Sequence, residues 1–111
     1  MPKSYRIDQV NELLRVRLAE IIRRELEVHA DCLLTIKKVE TAKDLKNATV
    51  FFSVLPFDKT GKIFSILKKN RGRLQHFLSE HLTMKNTPRI EFTPDIKEER
   101  ASEIYKLLDE L

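Results

Sequence analysis

Apolar residues early in the chain recur at helical spacing. Ile7, Val10, Leu14, Leu18, Ile21 and Val28 cluster within about a quarter of a turn when each residue advances by about 100°, which predicts a long amphipathic helix over 5–28. The period then changes. Segments 32–39 (CLLTIKKV) and 47–55 (NATVFFSVL) are rich in β-branched and other apolar residues and are bounded by polar turns. They predict two strands joined through 40–46, most simply an antiparallel pair. Alternation places Leu34 and Ile36 on one face of the first strand, and Ala48, Val50, Phe52 and Val54 on one face of the second. Those faces are predicted to meet the helix.

Pro56 and the cluster Asp58-Lys59-Thr60-Gly61 end the second strand, after which Ile63, Ile66, Leu67, Leu74, Phe77, Leu78 and Leu82 resume helical spacing over 59–82. Gly72 lies inside this helical region, where glycine costs roughly 1 kcal/mol relative to alanine, and Asn70 falls on its apolar face. Both features predict a kink at Asn70-Arg71-Gly72. Residues 88–93 read as a short third strand with Ile90 and Phe92 on one side. Asp95 and Glu98 have capping-box spacing and open a terminal helix with Ile104, Leu107, Leu108 and Leu111 as its apolar stripe. The predicted architecture is one α+β domain over 1–111, in the order α-β-β-α(kink)α-β-α.

Composition limits what such a domain does. The chain has 111 residues, 41% of them hydrophobic and 34% charged, enough for one modest core. The longest uncharged stretch, 47–57, is far short of the roughly 20 apolar residues of a spanning helix. The basic start is followed by Asp8 and Glu12 with no uninterrupted apolar region, so no secretory signal is predicted and the expected location is the cytoplasm. A single cysteine, Cys32, excludes an internal disulfide, and three scattered histidines offer little to a metal. The net charge of +4 is unevenly spread: 59–89 carries +7 with Glu80 as its one acid, 90–111 carries −4, and 1–58 carries +1.

Little in the sequence supports catalysis. His76 and His81 are turned about 140° apart on a helix, so they are not a metal-binding pair, and they read as solvated or half-buried helix residues. His29 and Cys32 lie close at a helix-to-strand turn, but nothing completes a thiolate site, and Cys32 reads as a small core residue. Gly61 and Gly72 are the only glycines, which excludes a phosphate-cradling glycine loop. No catalytic residue, metal or cofactor is predicted.

The basic stripes carry more information. Arg6, Arg17 and Arg24 fall within about 20° of one another beside the apolar face of the first helix, and Lys62, Lys69 and Arg73 within about 40° on the second, with Arg71 projecting elsewhere. Guanidinium groups grip phosphates in pairs of hydrogen bonds, and a kink exposes backbone donors, so the second set predicts a nucleic-acid contact. The first helix, with Glu12, Glu20, Glu25 and Glu27 interspersed, reads equally well as an ordinary solvated face. Phe51, opposite Val50 and Phe52, reads either as a base-stacking platform or as packing under a helix or loop. Tyr5 and Tyr105 read as edge-packing residues.

Val39, the run Asp44-Leu45-Lys46-Asn47-Ala48-Thr49-Val50-Phe51-Phe52-Ser53 and the run Pro88-Arg89-Ile90-Glu91-Phe92-Thr93-Pro94-Asp95 together resemble the pattern of the ribosome-binding factor A family. Arg6-Ile7 at the start of the first helix and the chain length agree, so the resemblance covers nearly the whole sequence. It implies a type II KH-like domain, with helices packed on a three-stranded mixed sheet and a helix-kink-helix in place of the GXXG loop. At that kink the family typically has Ala-x-Gly, whereas this chain keeps the glycine and has Asn70 in place of the alanine.

The resemblance further implies a cytoplasmic, non-catalytic, monomeric assembly factor that binds the immature small (30S) ribosomal subunit. Such a factor assists maturation of 16S rRNA and its precursor near the 5′ end and supports growth in the cold. The expected RNA-binding residues are Arg6, Arg17, Arg24, Lys62, Lys69, Asn70, Arg71, Gly72 and Arg73. Two other readings remain open at this point: a general KH-type binder of single-stranded nucleic acid, and a protein-interaction module.

Overall fold

The computed structural model describes residues 3–27, 31–82, 84, 86–96 and 100–109. Its elements are α1 (Lys3–Glu25), β1 (Leu33–Thr41), β2 (Asn47–Leu55), a 3-10 turn (Phe57–Lys59), α2 (Thr60–Lys69), α3 (Arg71–His81), β3 (Arg89–Pro94) and α4 (Ala101–Asp109). The sheet order is β1-β2-β3, with β1 antiparallel and β3 parallel to the central β2. A parallel partner needs a crossover, and α2 with α3 supply it. The result is the mixed-sheet, helix-covered type II KH-like fold. Among the described residues no helix is long and apolar enough to cross a membrane.

The core forms where the alternation of β2 meets the helix stripes. Ala48, Val50, Phe52 and Val54 are buried, against Leu14, Leu18, Ile21 and Ile22 of α1, Ile63 and Leu67 of α2, and Leu74 and Leu78 of α3. Ile22 joins this stripe although its spacing from Ile21 hides it in the sequence pattern. Among the described residues no helix covers the other face of the sheet, and Thr35, Lys38, Leu55 and Glu91 are exposed on it.

Three of the differences from the periodic reading have consequences for the fold. Helix α1 ends at Glu25, and Val28 lies outside the described residues. Strand β1 runs two residues further, to Thr41, because a bulge between Ile36 and Lys38 resets its phase. The extra residue lets Val39, which simple alternation from Leu34 and Ile36 turns outward, rejoin Ile36 in the core. Helix α4 begins at Ala101, after Asp95 has extended the strand alignment by donating its N–H to Phe52 O at 2.7 Å. The capping partner Glu98 lies outside the described residues, as do Leu111 and the side chains of Tyr5, Ile104, Leu107 and Leu108. Tyr105, expected at a packed edge, is 63% exposed.

Neighbouring phenylalanines test the two faces of β2. Phe52 is fully buried and meets the Phe64 ring edge-on at 5.6 Å, whereas Phe51 is half-exposed under the Lys38 ammonium at 4.8 Å. Phe52→Ala is expected to lower unfolding stability by about 3–5 kcal/mol and Phe51→Ala by about 1 kcal/mol or less, read by urea denaturation. Equal losses would mean that the open face packs as the core does.

Candidate nucleic-acid interface

The break between α2 and α3 is built by one residue. Asn70 has φ −101° and ψ 8°, its backbone N–H donates to Ile66 O at 3.1 Å, and its side-chain Nδ2 donates to the same oxygen at 2.8 Å. The amide therefore finishes the last turn of α2, which is why a polar residue occupies the apolar arc. Because that side chain is turned back, it does not cap α3. The first turn of α3 then presents N–H groups that lack an intrahelical acceptor. Gly72 lies in this turn, exposed, without positive φ, and a Cβ built there would meet nothing within 4 Å. Neither conformation nor crowding within the chain requires glycine here. Its absent side chain leaves bare backbone between Arg71 and Arg73.

The cations around this turn divide by what holds them. Lys62 and Lys69 are exposed and make no ion pair with a described residue. They stand on one side of α2, about 10 Å apart along its axis. Arg73 lies 3.3 Å from Glu25 Oε2 and its guanidinium centre is 5.8 Å from the Phe77 ring. Arg24 lies 3.0 Å from Glu25 Oε1 and 3.5 Å from His81 Nε2. His81 Nδ1 sits 2.8 Å from Phe77 O, so it is the donor there, and Nε2 is left to accept from Arg24. Glu25 thus gathers Arg24 and Arg73 into one cluster where α1 meets α3. Arg17 shares that flank of α1 but is paired with Glu20 at 3.2 Å. Arg6, exposed, is about 27 Å from Arg24 along the helix, too far to join the cluster.

Arg71 has a different task from the one its charge suggests. It is half-buried, and its Nη1 makes a long contact of 3.5 Å with Ile90 O on the outer edge of β3. Beside it Gln75 donates from Nε2 to Pro88 O at 3.0 Å and accepts from Ile90 N–H at 2.8 Å through Oε1. The Gln75 carboxamide thus does what a neighbouring strand's peptide unit would do. Sequence patterning misses Gln75 because its partners are 13 and 15 residues away. The available signal is that Arg71 and Gln75, four apart, share the arc of α3 that carries Leu78.

The other chemical candidates come no closer together. His76 pairs with Glu80 at 3.0 Å, and Cys32 is half-buried at the margin of the core. His29 lies outside the described residues. Among the described residues no three His, Cys, Asp or Glu side chains form a metal-binding group.

Comparison with known proteins decides the family. The model of the family described as ribosome-binding factor A matches residues 6–108. The chain belongs to the ribosome-binding factor A family. A ribosome-binding factor A from Prochlorococcus marinus (strain MIT 9215) is 30% identical over all of this chain and 88% of its own length. One from Coxiella burnetii (strain Dugway 5J108-111) is 30% identical over 96% of this chain and 89% of its own. The crystal structure of ribosome-binding factor A from Thermus thermophilus superposes with a TM-score of 0.68 at 25% identity, covering 79% of this chain and 94% of that one. A Thermus thermophilus homology model fitted into a cryo-EM map of a complex of the 30S subunit with ribosome-binding factor A gives 0.63 at 27% identity, covering 75% and 88%.

The edge contact has its own consequence. Gln75→Ala leaves the Pro88 carbonyl and the Ile90 N–H without their partner, so stability is expected to fall by about 1–3 kcal/mol and amide exchange at Ile90 to accelerate. Lys62→Ala, by contrast, is expected within about 0.5 kcal/mol of the parent. Unchanged exchange at Ile90 in Gln75→Ala would remove the edge role.

Proposed function

We propose that this chain is a cytoplasmic, non-catalytic assembly factor that docks, as a monomer, on the RNA of the immature small ribosomal subunit through the surface around the α2–α3 break. The observation that carries the reading is the bare Gly72 backbone between Arg71 and Arg73, next to Lys69 at the end of α2, with Lys62 exposed on the same side of that helix as Lys69 and Arg24 beside Arg73 at Glu25. Family membership supports the subunit as the target, and the cryo-EM complex concerns a relative that the chain matches over most of its length.

In the finer reading the factor assists maturation of the 16S rRNA near its 5′ end, and supports growth in the cold, by binding one RNA conformation more tightly than its competitors. Cleavage is left to nucleases. Lys62, Lys69 and Arg73 neutralise phosphates, Arg17 and Arg24 extend the field, and Arg6 adds a distant contact. Gly72 lets a phosphate approach the N–H groups of the first turn of α3. Asn70 and Arg71 act indirectly, by setting the break and holding β3 beside it.

Against a general single-stranded binder stands the closed β3 edge: the main-chain groups that would read base edges at Pro88 and Ile90 are already occupied by Gln75 and Arg71. A phosphate-led, shape-dependent contact fits this surface better. Preference for immature subunits over naked oligonucleotides separates the two.

Two measurements test the proposal. In sucrose-gradient co-sedimentation across salt, the combined change Lys62→Ala, Lys69→Ala, Arg73→Ala is expected to weaken subunit binding and flatten the dependence of log K on log salt by about two to three units. An unaltered slope would refute the site. Gly72→Ala is expected to stabilise the fold by about 0.5–1 kcal/mol, since the helix gains and nothing clashes, while weakening subunit binding. A variant that is more stable and binds as well would show that the bare backbone is not approached.

A further inference from the structure

Each outer strand of the sheet turns half of its main-chain groups away from β2. In β1, Ala42 N–H donates to Asn47 O at 2.8 Å, so Glu40 and Lys38 face β2 while Thr41 and Val39 face outward. The bulge then resets the phase, so Leu33 and Thr35 face β2 while Leu34 and Ile36 face outward. Most of an exposed edge is usually protected, and here side chains protect parts of both. Asn11 Oδ1 accepts the outward N–H of Thr41 at 2.9 Å, and Gln75 and Arg71 cover Pro88 and Ile90.

Leu34 and Ile36 have no such cover. Their outward groups make no described hydrogen bond, and beside them α1 stands off to leave a groove of about 450 Å³. Leu34 and Ile36 form its floor, Ala19, Ile22 and Leu26 its helical wall, and Cys32 its end. Leu33 projects at its mouth, 60% exposed. An unpaired strand edge next to an apolar groove is the combination that strand addition uses: main-chain bonds give affinity, and alternate side chains enter the groove.

We propose that β1 accepts an extended apolar segment with acidic flanks, from a partner protein, as a fourth strand along Leu34 and Ile36. Charge selects this occupant. Arg15 on the rim is engaged by both carboxylate oxygens of Glu12, which holds that carboxyl below its ordinary pKa, and Lys38 pairs with Glu40 at 3.2 Å. Arg23 and Lys37 are exposed and make no ion pair with a described residue, so they are available to carboxylates. A second copy adding β1 to β1 would set these same cations against each other. RNA is disfavoured because, apart from Arg15, Arg23 and Thr35, the groove is lined by apolar side chains, and it carries no aromatic ring on which a base stacks.

The groove is on the flank of α1 opposite Arg17 and Arg24, so the partner and the subunit RNA do not compete for one surface. Failure of this inference is therefore separable from failure of the RNA reading: peptide binding is followed at β1, and subunit binding by its salt slope.

The probe is a short synthetic peptide of alternating valine and threonine with glutamate at both ends, titrated into the isotopically labelled full chain. Amide exchange at Leu34 and Ile36 is expected to slow on binding, while Ile90 and Thr41 stay as they were. Leu34→Pro deletes an N–H that makes no ladder bond, a change an edge strand tolerates, and is expected to weaken binding about tenfold or more. Ala19→Glu, which puts a carboxylate on the groove wall without disturbing the strand, is expected to do the same. Subunit co-sedimentation should be unchanged in both variants. No binding at about 1 mM peptide, or binding that survives both substitutions, overturns the proposal. Protection of Leu34 and Ile36 that rises with protein concentration alone assigns the edge to a second copy and also overturns it. Protection produced by a single-stranded RNA oligonucleotide overturns it as well.

Discussion

A sheet of three strands has two edges, and in a domain this small neither edge is far from a helix that partly shields it from water. Main-chain groups there need partners, since each one left buried and unpaired costs about 1–3 kcal/mol. Asn11 from α1, and Gln75 with Arg71 from α3, supply them. These contacts do more than satisfy the edges. They tie α1 to the far end of β1 and α3 to β3, and so determine where the helices sit over a core whose apolar packing alone is not directional. They also bear on which charges remain for a partner: Arg71 is committed to the fold, Arg73 is exposed but held at Glu25, and Lys62 and Lys69 make no ion pair with a described residue.

The same economy governs the break between α2 and α3. A continuous helix over 60–81 would carry its axis past the point where β3 can return parallel to β2. Asn70 ends α2 by giving Ile66 O two donors, and the chain restarts one residue later in a new direction. Alanine at this position would keep the backbone bond and lose the side-chain one, because the φ of −101° is open to any residue. The asparagine therefore reinforces a break that backbone geometry already permits, and the family pattern with alanine fits the same geometry. The turn that follows inherits uncapped N–H groups and a glycine with open space above it, so the device that redirects the chain also shapes the surface proposed to meet RNA.

Much of this was legible in the sequence because it depends on neighbours along the chain. The period of two through Ala48, Val50, Phe52 and Val54 identifies the central strand, and the helical spacing of Leu14, Leu18 and Ile21 identifies the face that meets it. Asn70 and Gly72 announce a break because each is costly in a helix. What escaped depends on contacts across the fold. The bulge in Thr35-Ile36-Lys37-Lys38-Val39 leaves no trace in composition, since either lysine can be the extra residue until β2 sets the register. Asn11 and Gln75 look like ordinary polar helix residues until a strand edge is placed beside them. The basic stripe on the second helical region was visible as a stripe, yet only the structure separates Arg71, turned toward Ile90, from Arg73, held at Glu25. The stripe of Arg6, Arg17 and Arg24 is real as a rotation and divides as a surface, because Arg24 alone reaches α3.

Helix α1 is where these constraints meet. Its buried arc faces the sheet, so its two flanks are necessarily separate surfaces, each with a different neighbour. One flank borders α3, where Arg24 and Arg73 share Glu25 and the field is positive over exposed polar groups. The other borders the bulged edge of β1, where the wall is aliphatic and the strand is unpaired. A polyanion gains where exposed cations gather beside bare backbone N–H groups, and an extended apolar chain gains where main-chain groups and methyl groups alternate. Without the bulge, Val39 would turn outward and the strand would lose its anchor to the core. With it, the unpaired groups of Leu34 and Ile36 lie in one row beside α1. A local irregularity that the core requires thus leaves, beside the aliphatic groove, a stretch of edge that no side chain of the described residues closes.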